Sequence, residues 1–168
     1  MGPILRGWRR SDLDALVGYA DNINVWRNLR DSFPHPYTLR HGEEWLGRQI
    51  HAREPLMNFV IDLDGELVGG IGFERYSDVN RLTAEIGYWV AEPFWGKGLA
   101  TFALREATER AFHHFDFERI QAMAFSWNAA SARVLEKAGY ALEARLRRNV
   151  LKDGEIIDTL LYVIFRER

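Results

Sequence analysis

Val90-Ala91-Glu92-Pro93-Phe94-Trp95-Gly96-Lys97-Gly98-Leu99-Ala100-Thr101 is the stretch that decides the fold. Val90 and Ala91 close an apolar run and Pro93 stops it. Beyond Gly98, apolar Leu99, Phe102, Ala103, Ala107 and Ala111 recur mostly at three- and four-residue intervals. The segment is therefore a strand end, a tight glycine loop and the start of an amphipathic helix running from about Gly98 to His114. Two glycines and small Ala100 let the backbone come close to a ligand, and the unpaired N–H groups of a first helical turn point outward with the positive end of the dipole behind them. A pyrophosphate fits such a cradle; a plain strand-to-helix turn reads the same way. Two other phosphate loops do not fit. A Walker A loop ends Gly-Lys-Ser/Thr, and a dinucleotide fingerprint needs a glycine or alanine where Thr101 stands.

Upstream, Ile4 to Arg9 alternates roughly as a strand, and Ser11 is placed to cap a helix continued by Leu13, Leu16, Val17 and Ala20. From Asp21 to Tyr37 no period is visible, and Pro34 and Pro36 argue against a regular element. Thr38 then caps a helix to about Ala52 with Leu39, Trp45, Leu46 and Ile50 as its apolar positions. Asn58 to Leu63, Asp64-Gly65 and Glu66 to Phe73 read as a hairpin, because Asp-Gly accepts the positive φ angles of a tight turn. Leu82 to Ala91 adds a third antiparallel strand.

Downstream, Ile120 to Phe125 is a strand, and Asn128 caps a short helix with Val134, Leu135 and Ala138 inward and Gly139 at its end. Tyr140 to Val150, a Lys152-Asp153-Gly154 turn and Ile156 to Phe165 form a closing hairpin. The order β-α-α-β-β-β-α-β-α-β-β describes one α/β (α+β) domain over residues 1–168. Its sheet is mixed and mostly antiparallel, with helices on both faces. The crossover from Leu82–Ala91 to Ile120–Phe125 makes those two strands parallel neighbours.

With 168 residues, 47% of them hydrophobic, the chain is long enough for one buried core. A net charge of −2 offers no global field for nucleic acid or an anionic membrane. Arg145 and Arg147 alternate with Ala144 and Leu146 as on the wet face of a strand. No apolar run approaches the roughly 20 residues of a membrane span, and no apolar region marks a secretion signal. The absence of cysteine removes disulfides, thiolate ligands and a Cys nucleophile and fits a cytoplasmic protein. Histidines and carboxylates show no metal-ligand spacing, so no metal is expected.

Asn128-Ala129-Ala130-Ser131-Ala132-Arg133-Val134-Leu135-Glu136-Lys137-Ala138-Gly139-Tyr140, taken with the glycine loop, resembles the two cofactor motifs of the GNAT superfamily of N-acetyltransferases. Ala84 to Trp89 and Asp64 to Gly69 are also similar to that family, closest to the Rim-type branch that acetylates ribosomal-protein N-termini. The resemblance implies the GNAT fold, a seven-stranded sheet splayed between the fourth and fifth strands, and acetyl-CoA as cosubstrate. It implies that the backbone amides of Gly96, Lys97, Gly98, Leu99, Ala100 and Thr101 hold the pyrophosphate. Trp95 stands where the family usually has Arg or Gln. The strand end near Trp89 and Val90 would meet the pantetheine amides, and Asn128 would bond the same arm, although capping alone also explains Asn128.

For chemistry, the resemblance points to Glu85 as base, with a structural glutamate as the other reading, and to a backbone N–H near Val90 for the oxyanion. Many relatives use as acid a tyrosine four residues before the second-motif glycine; this chain has Leu135 there, leaving Ser131 or an ordered water. With no cysteine and no Gly-x-Ser-x-Gly elbow, direct attack by the acceptor amine is favoured over a covalent enzyme intermediate. Phe33, His35 and Tyr37 lie in the loop that borders the acceptor in this family; a packed aromatic loop reads equally well. The acceptor is a primary amine, either a protein N-terminus or a small molecule such as a polyamine, amino acid or antibiotic. A non-catalytic acyl-CoA-binding module is the rival of a different class, and relatives of this type often form homodimers.

Overall fold

In the computed structural model, which describes residues 1–168, the first strand is short, β1 (Ile4–Arg6), and a single 3-10 turn (Arg10–Asp12) leads into α1 (Leu13–Ala20). Asp12 rather than Ser11 stands at the start of that helix. Its carboxylate accepts from the Arg9 amide at 2.7 Å and from Arg6 at 2.8 Å, while Ser11 stays exposed. The reason lies in Arg6, whose side chain is buried and needs carboxylates: it also donates to Asp62 at 2.5 Å.

The segment 21–37 is not wholly irregular. Asn22 accepts from the Asn24 amide at 2.8 Å and caps a single-turn helix, α2 (Ile23–Trp26), too short to show a period. Thr38 caps α3 (Leu39–Gln49) as expected, though the helix stops before Ala52 and Leu39 faces solvent. Gly42 instead meets α1: a Cβ there would lie 2.8 Å from Val17 and 2.9 Å from Leu13.

The remaining elements are β2 (Asn58–Leu63), β3 (Glu66–Arg75), β4 (Thr83–Val90), α4 (Leu99–His114), β5 (Arg119–Phe125), α5 (Ala129–Lys137), β6 (Ala141–Lys152) and β7 (Glu155–Phe165). They form one seven-stranded sheet in the order β1-β2-β3-β4-β5-β7-β6, antiparallel except for β4 beside β5. The closing hairpin doubles back, so β7 is an interior strand and β6 an edge. Arg148 has φ of 56° within a register shift between Leu146 and Val150, so the arginine stretch is a bulge rather than a regular strand face.

Period-two alternation sends neighbouring side chains to opposite faces. Phe59 and Ile61 join Phe73, Ile86, Ala103, Leu104 and Leu135 under α4 and α5, while Val60 and Leu67 join Trp8, Leu16, Tyr37 and Leu46 under α1 and α3. The two faces carry separate cores.

The sheet opens at its middle. β4 is in register with β5 only at Thr83–Arg119, Ala84–Ile120 and Glu85–Gln121. Beyond Glu85, β4 stays with β3 as far as Val90, and β5 stays with β7 as far as Phe125. Each strand follows its outer neighbour, and the inner edges part.

Candidate functional site

A cleft of 1290 Å³ runs through this opening, reached from both faces of the sheet. At one end is the glycine loop. The Trp95 indole donates to the Val90 carbonyl at 2.7 Å, which fastens the loop to the end of β4 and occupies one of the strand groups expected to be free. Gly96 and Gly98 have φ of 74° and 75°, conformations that a side chain resists. The Phe102 amide is the first to bond within the new helix, to the Gly98 carbonyl at 3.0 Å. Before it, the amides of Gly96, Lys97, Gly98, Leu99, Ala100 and Thr101 have no acceptor anywhere in the protein. Six consecutive donors are therefore left open at a helix N-terminus. All these residues line the cleft except Lys97, whose side chain turns over the Phe94 ring at 5.1 Å. Arg133 and Lys137 of α5 line the same end and supply positive charge.

In the middle stand Tyr88 of β4 and Ser131 of α5. Asn128 accepts from the Ser131 amide at 3.2 Å, and the Ser131 hydroxyl lies 2.6 Å from that of Tyr88. Burial pushes the Tyr88 phenol up to about 12. Leu135 is fully buried in the core, so nothing at that position reaches the cleft.

The far end is aromatic. Phe33 packs against Tyr37 at 5.2 Å and Trp89 at 5.7 Å, and Trp8 meets Trp45 edge-on at 5.6 Å. Burial pushes the Tyr37 phenol up to about 12 as well. Glu85, Gly87 and Trp89 share the face of β4 toward this end, and a Cβ on Gly87 would meet nothing within 4 Å. The Glu85 carboxylate is engaged on both oxygens, by Arg30 and by the Tyr76 hydroxyl.

His35 is the expected residue that the fold leaves out. It packs on Trp26 at 5.6 Å, with its ring 3.8 Å from Asp21, and does not line the cleft. The adjacent prolines fix the chain direction, and the two neighbours Phe33 and Tyr37 turn inward while His35 turns out. His41, on the first turn of α3, lines the cleft instead.

The loop over this aromatic end is tied down from four sides. Asn22 and Asn24 donate to Glu92 at 2.6 and 3.1 Å, Trp127 donates to Asn28 at 3.0 Å, Arg30 pairs with Glu85, and Lys152 pairs with Asp31 at 2.8 Å. Sequence reading missed Tyr88, Arg30 and Lys152. Tyr88 lies inside the quoted strand motif but on the face opposite Glu85, and a partner for Lys152 more than a hundred residues away leaves no local signal. No group of three or more acidic or histidine side chains is gathered to hold a metal, and no helix is long and apolar enough to cross a membrane.

The family model of the acetyltransferase (GNAT) domain matches residues 4–141. This chain belongs to the GNAT family. The GNAT chain is similar to Bacillus subtilis YdaF, 35% identical over 103 residues, a match covering 61% of this chain and 56% of that relative. It thus spans little more than half the length of that curated relative. Among solved structures it is similar to Mycobacterium smegmatis RimJ, determined with a CoA disulfide, at 30% identity, TM-score 0.84, and coverage of 97% and 81% of the two chains. It also shares the fold of the Vibrio cholerae spermidine N-acetyltransferase, determined with CoA and spermine, at 23% identity, TM-score 0.79, and coverage of 97% and 95%. The GNAT neighbours thus include enzymes of more than one acceptor class.

Proposed function

We propose that this chain transfers the acetyl group of acetyl-CoA to a primary amine by direct attack, and that the amine is the N-terminus of a peptide or protein. The observation that carries the reading is the run of six acceptor-free amides from Gly96 to Thr101, at one end of a continuous cleft whose other end is aromatic. A pyrophosphate matches those donors in charge and reach, and Arg133 and Lys137 stand beside it. The pantetheine arm would run through the opening between β4 and β5, past the side-chain amide of Asn128. The thioester would then lie between Val90 and Ser131.

Transfer requires a neutral amine, a polarised carbonyl and a stabilised leaving sulfur. Glu85 takes the amine's proton through water once the acceptor displaces Arg30, whose side chain is 64% exposed. A backbone N–H near Val90 stabilises the oxyanion. Ser131 donates a hydrogen bond to the sulfur as the C–S electron pair returns to it, and the thiolate then takes a proton from water.

The charge of the acceptor end favours a peptide over a polyamine. Asp31, Glu44, Glu74 and Glu85 line the cleft, but Asp31 faces Lys152, Glu44 faces Arg40 and Glu85 faces Arg30. Only Glu74 has no cationic partner, too little to hold a polycation, whereas aromatic walls suit the side chain of a first residue. The test is turnover of acetyl-CoA with peptides beginning Ser, Ala or Met, with spermidine and with free amino acids, using Glu85→Gln as control. Faster turnover of peptides supports the reading, and preference for spermidine overturns the acceptor assignment. Tight acetyl-CoA binding with no amine acetylated overturns the enzyme.

A further inference from the structure

The Tyr88–Ser131 contact joins β4 to α5 across the open part of the splay, and Ser131 is the only partner of the Tyr88 hydroxyl. We infer that Tyr88 is a positioning residue: its hydroxyl donates to Ser131 Oγ and so turns the single Ser131 hydrogen toward the coenzyme A sulfur. The inference rests on the proposed role of Ser131 and extends it to the residue that makes that role effective.

The direction of the bond follows from chemistry. A serine hydroxyl has one hydrogen and two lone pairs. If Ser131 donated to Tyr88, its one hydrogen would be spent on the phenol and only lone pairs would be left for a sulfur gaining negative charge. A phenol is the more acidic hydroxyl and the better donor, and burial keeps Tyr88 protonated throughout the working pH range. With Tyr88 donating, one Ser131 lone pair is occupied and the hydrogen is left free for the sulfur. The Ser131 backbone is pinned in the same turn by Asn128 at 3.2 Å, so neither the residue nor its hydroxyl has to be ordered when the bond to carbon breaks. No proton leaves Tyr88. The amine's proton goes to Glu85 and water, the C–S pair goes to sulfur, and the sulfur's proton comes from water. A donor on the sulfur lowers the charge that must be carried alone, which is the task usually given to the tyrosine that Leu135 replaces here.

The absence of cysteine makes the test direct, because the only thiol in a complex with coenzyme A is the ligand's own. The thiol of coenzyme A, held by excess protein, is titrated by thiolate absorbance, read as the difference from the same protein without ligand. The wild type is expected to lower the bound thiol's pKa relative to Tyr88→Phe and Ser131→Ala, with the double variant no different from Ser131→Ala. With acetyl-CoA and the best peptide acceptor, Tyr88→Phe is expected to lower kcat about tenfold, the size of one hydrogen bond, with KM for acetyl-CoA and Tm unchanged. A thiol pKa equal in wild type and Ser131→Ala overturns the Ser131 reading and this inference with it. A shift in Ser131→Ala but none in Tyr88→Phe overturns the inference alone. So do additive losses in the double variant, or a Tyr88→Phe effect seen equally in Tm and coenzyme A affinity.

Discussion

The Lys152 ammonium sits 3.5 Å above the centre of the Trp26 ring. Lys152 is the last residue of β6 and is 1% exposed; Trp26 ends α2. Between them they join the last hairpin of the sheet to the loop that covers the aromatic end of the cleft. A desolvated cation over an indole contributes about 2 kcal/mol, and the Asp31 carboxylate, 74% exposed, completes the pair.

Lys152→Met is therefore expected to loosen the acceptor loop rather than unfold the protein. Removing the lysine leaves no buried orphan charge, since Asp31 returns to water, and the desolvation cost of the ammonium disappears with it. Steady-state kinetics should show a higher KM for the peptide acceptor with KM for acetyl-CoA unchanged. Equal KM values for the acceptor would mean that the clamp plays no part in binding.

Gly98→Val should abolish coenzyme A binding, read by calorimetry. A branched side chain at φ of 75° costs about 1–2 kcal/mol, and the strain is relieved by turning the very amides that point into the cleft. Circular dichroism should show the fold retained, because Gly98 packs against nothing that a Cβ would strike. Unaltered affinity would reduce the loop to a turn.

Gly87→Val should separate stability from activity in opposite directions. Glycine in a strand interior weakens it, so valine is expected to raise stability by about 0.5–1 kcal/mol in denaturant unfolding. The same side chain would fill the bare floor between Glu85 and Trp89, where nothing now lies within 4 Å. Acceptor turnover should fall while coenzyme A affinity holds; a stabilised variant with full turnover would place the amine elsewhere.

Arg6→Met should destabilise the fold by roughly 3–5 kcal/mol, the cost of leaving buried carboxylates without their cation. Arg6 alone serves both Asp12 and Asp62, each with a side chain 4% exposed. Thermal unfolding would register the loss. A second change, Asp62→Asn, should recover part of it by removing one of the stranded charges.

These sites differ in how far they could be read from the chain. The glycine loop, its helix, the Asp64-Gly65 hairpin and the Asn128 cap are local: each depends on residues within a turn or two, where backbone preference and side-chain period speak directly. The glycine loop and the helix it opens were legible for that reason. Ser11 lost its place to Asp12 because a buried arginine outweighed a local cap, and His35 was misplaced because residue type says nothing about which side of a loop faces the cleft.

By itself, then, the sequence determined every element except the single turn of α2, the parallel pairing of β4 with β5 and the glycine loop at the head of α4, all consequences of short-range sterics and period, while the splay was expected only from the family resemblance. Only the tertiary structure decided that β7 would lie between β5 and β6, that Tyr88 would reach Ser131, that Arg30 would occupy Glu85, and that Lys152 would close on Asp31, 121 residues away. Such contacts join groups with no local relation, and they are chosen by which buried charges and hydroxyls must find partners once the sheet has opened.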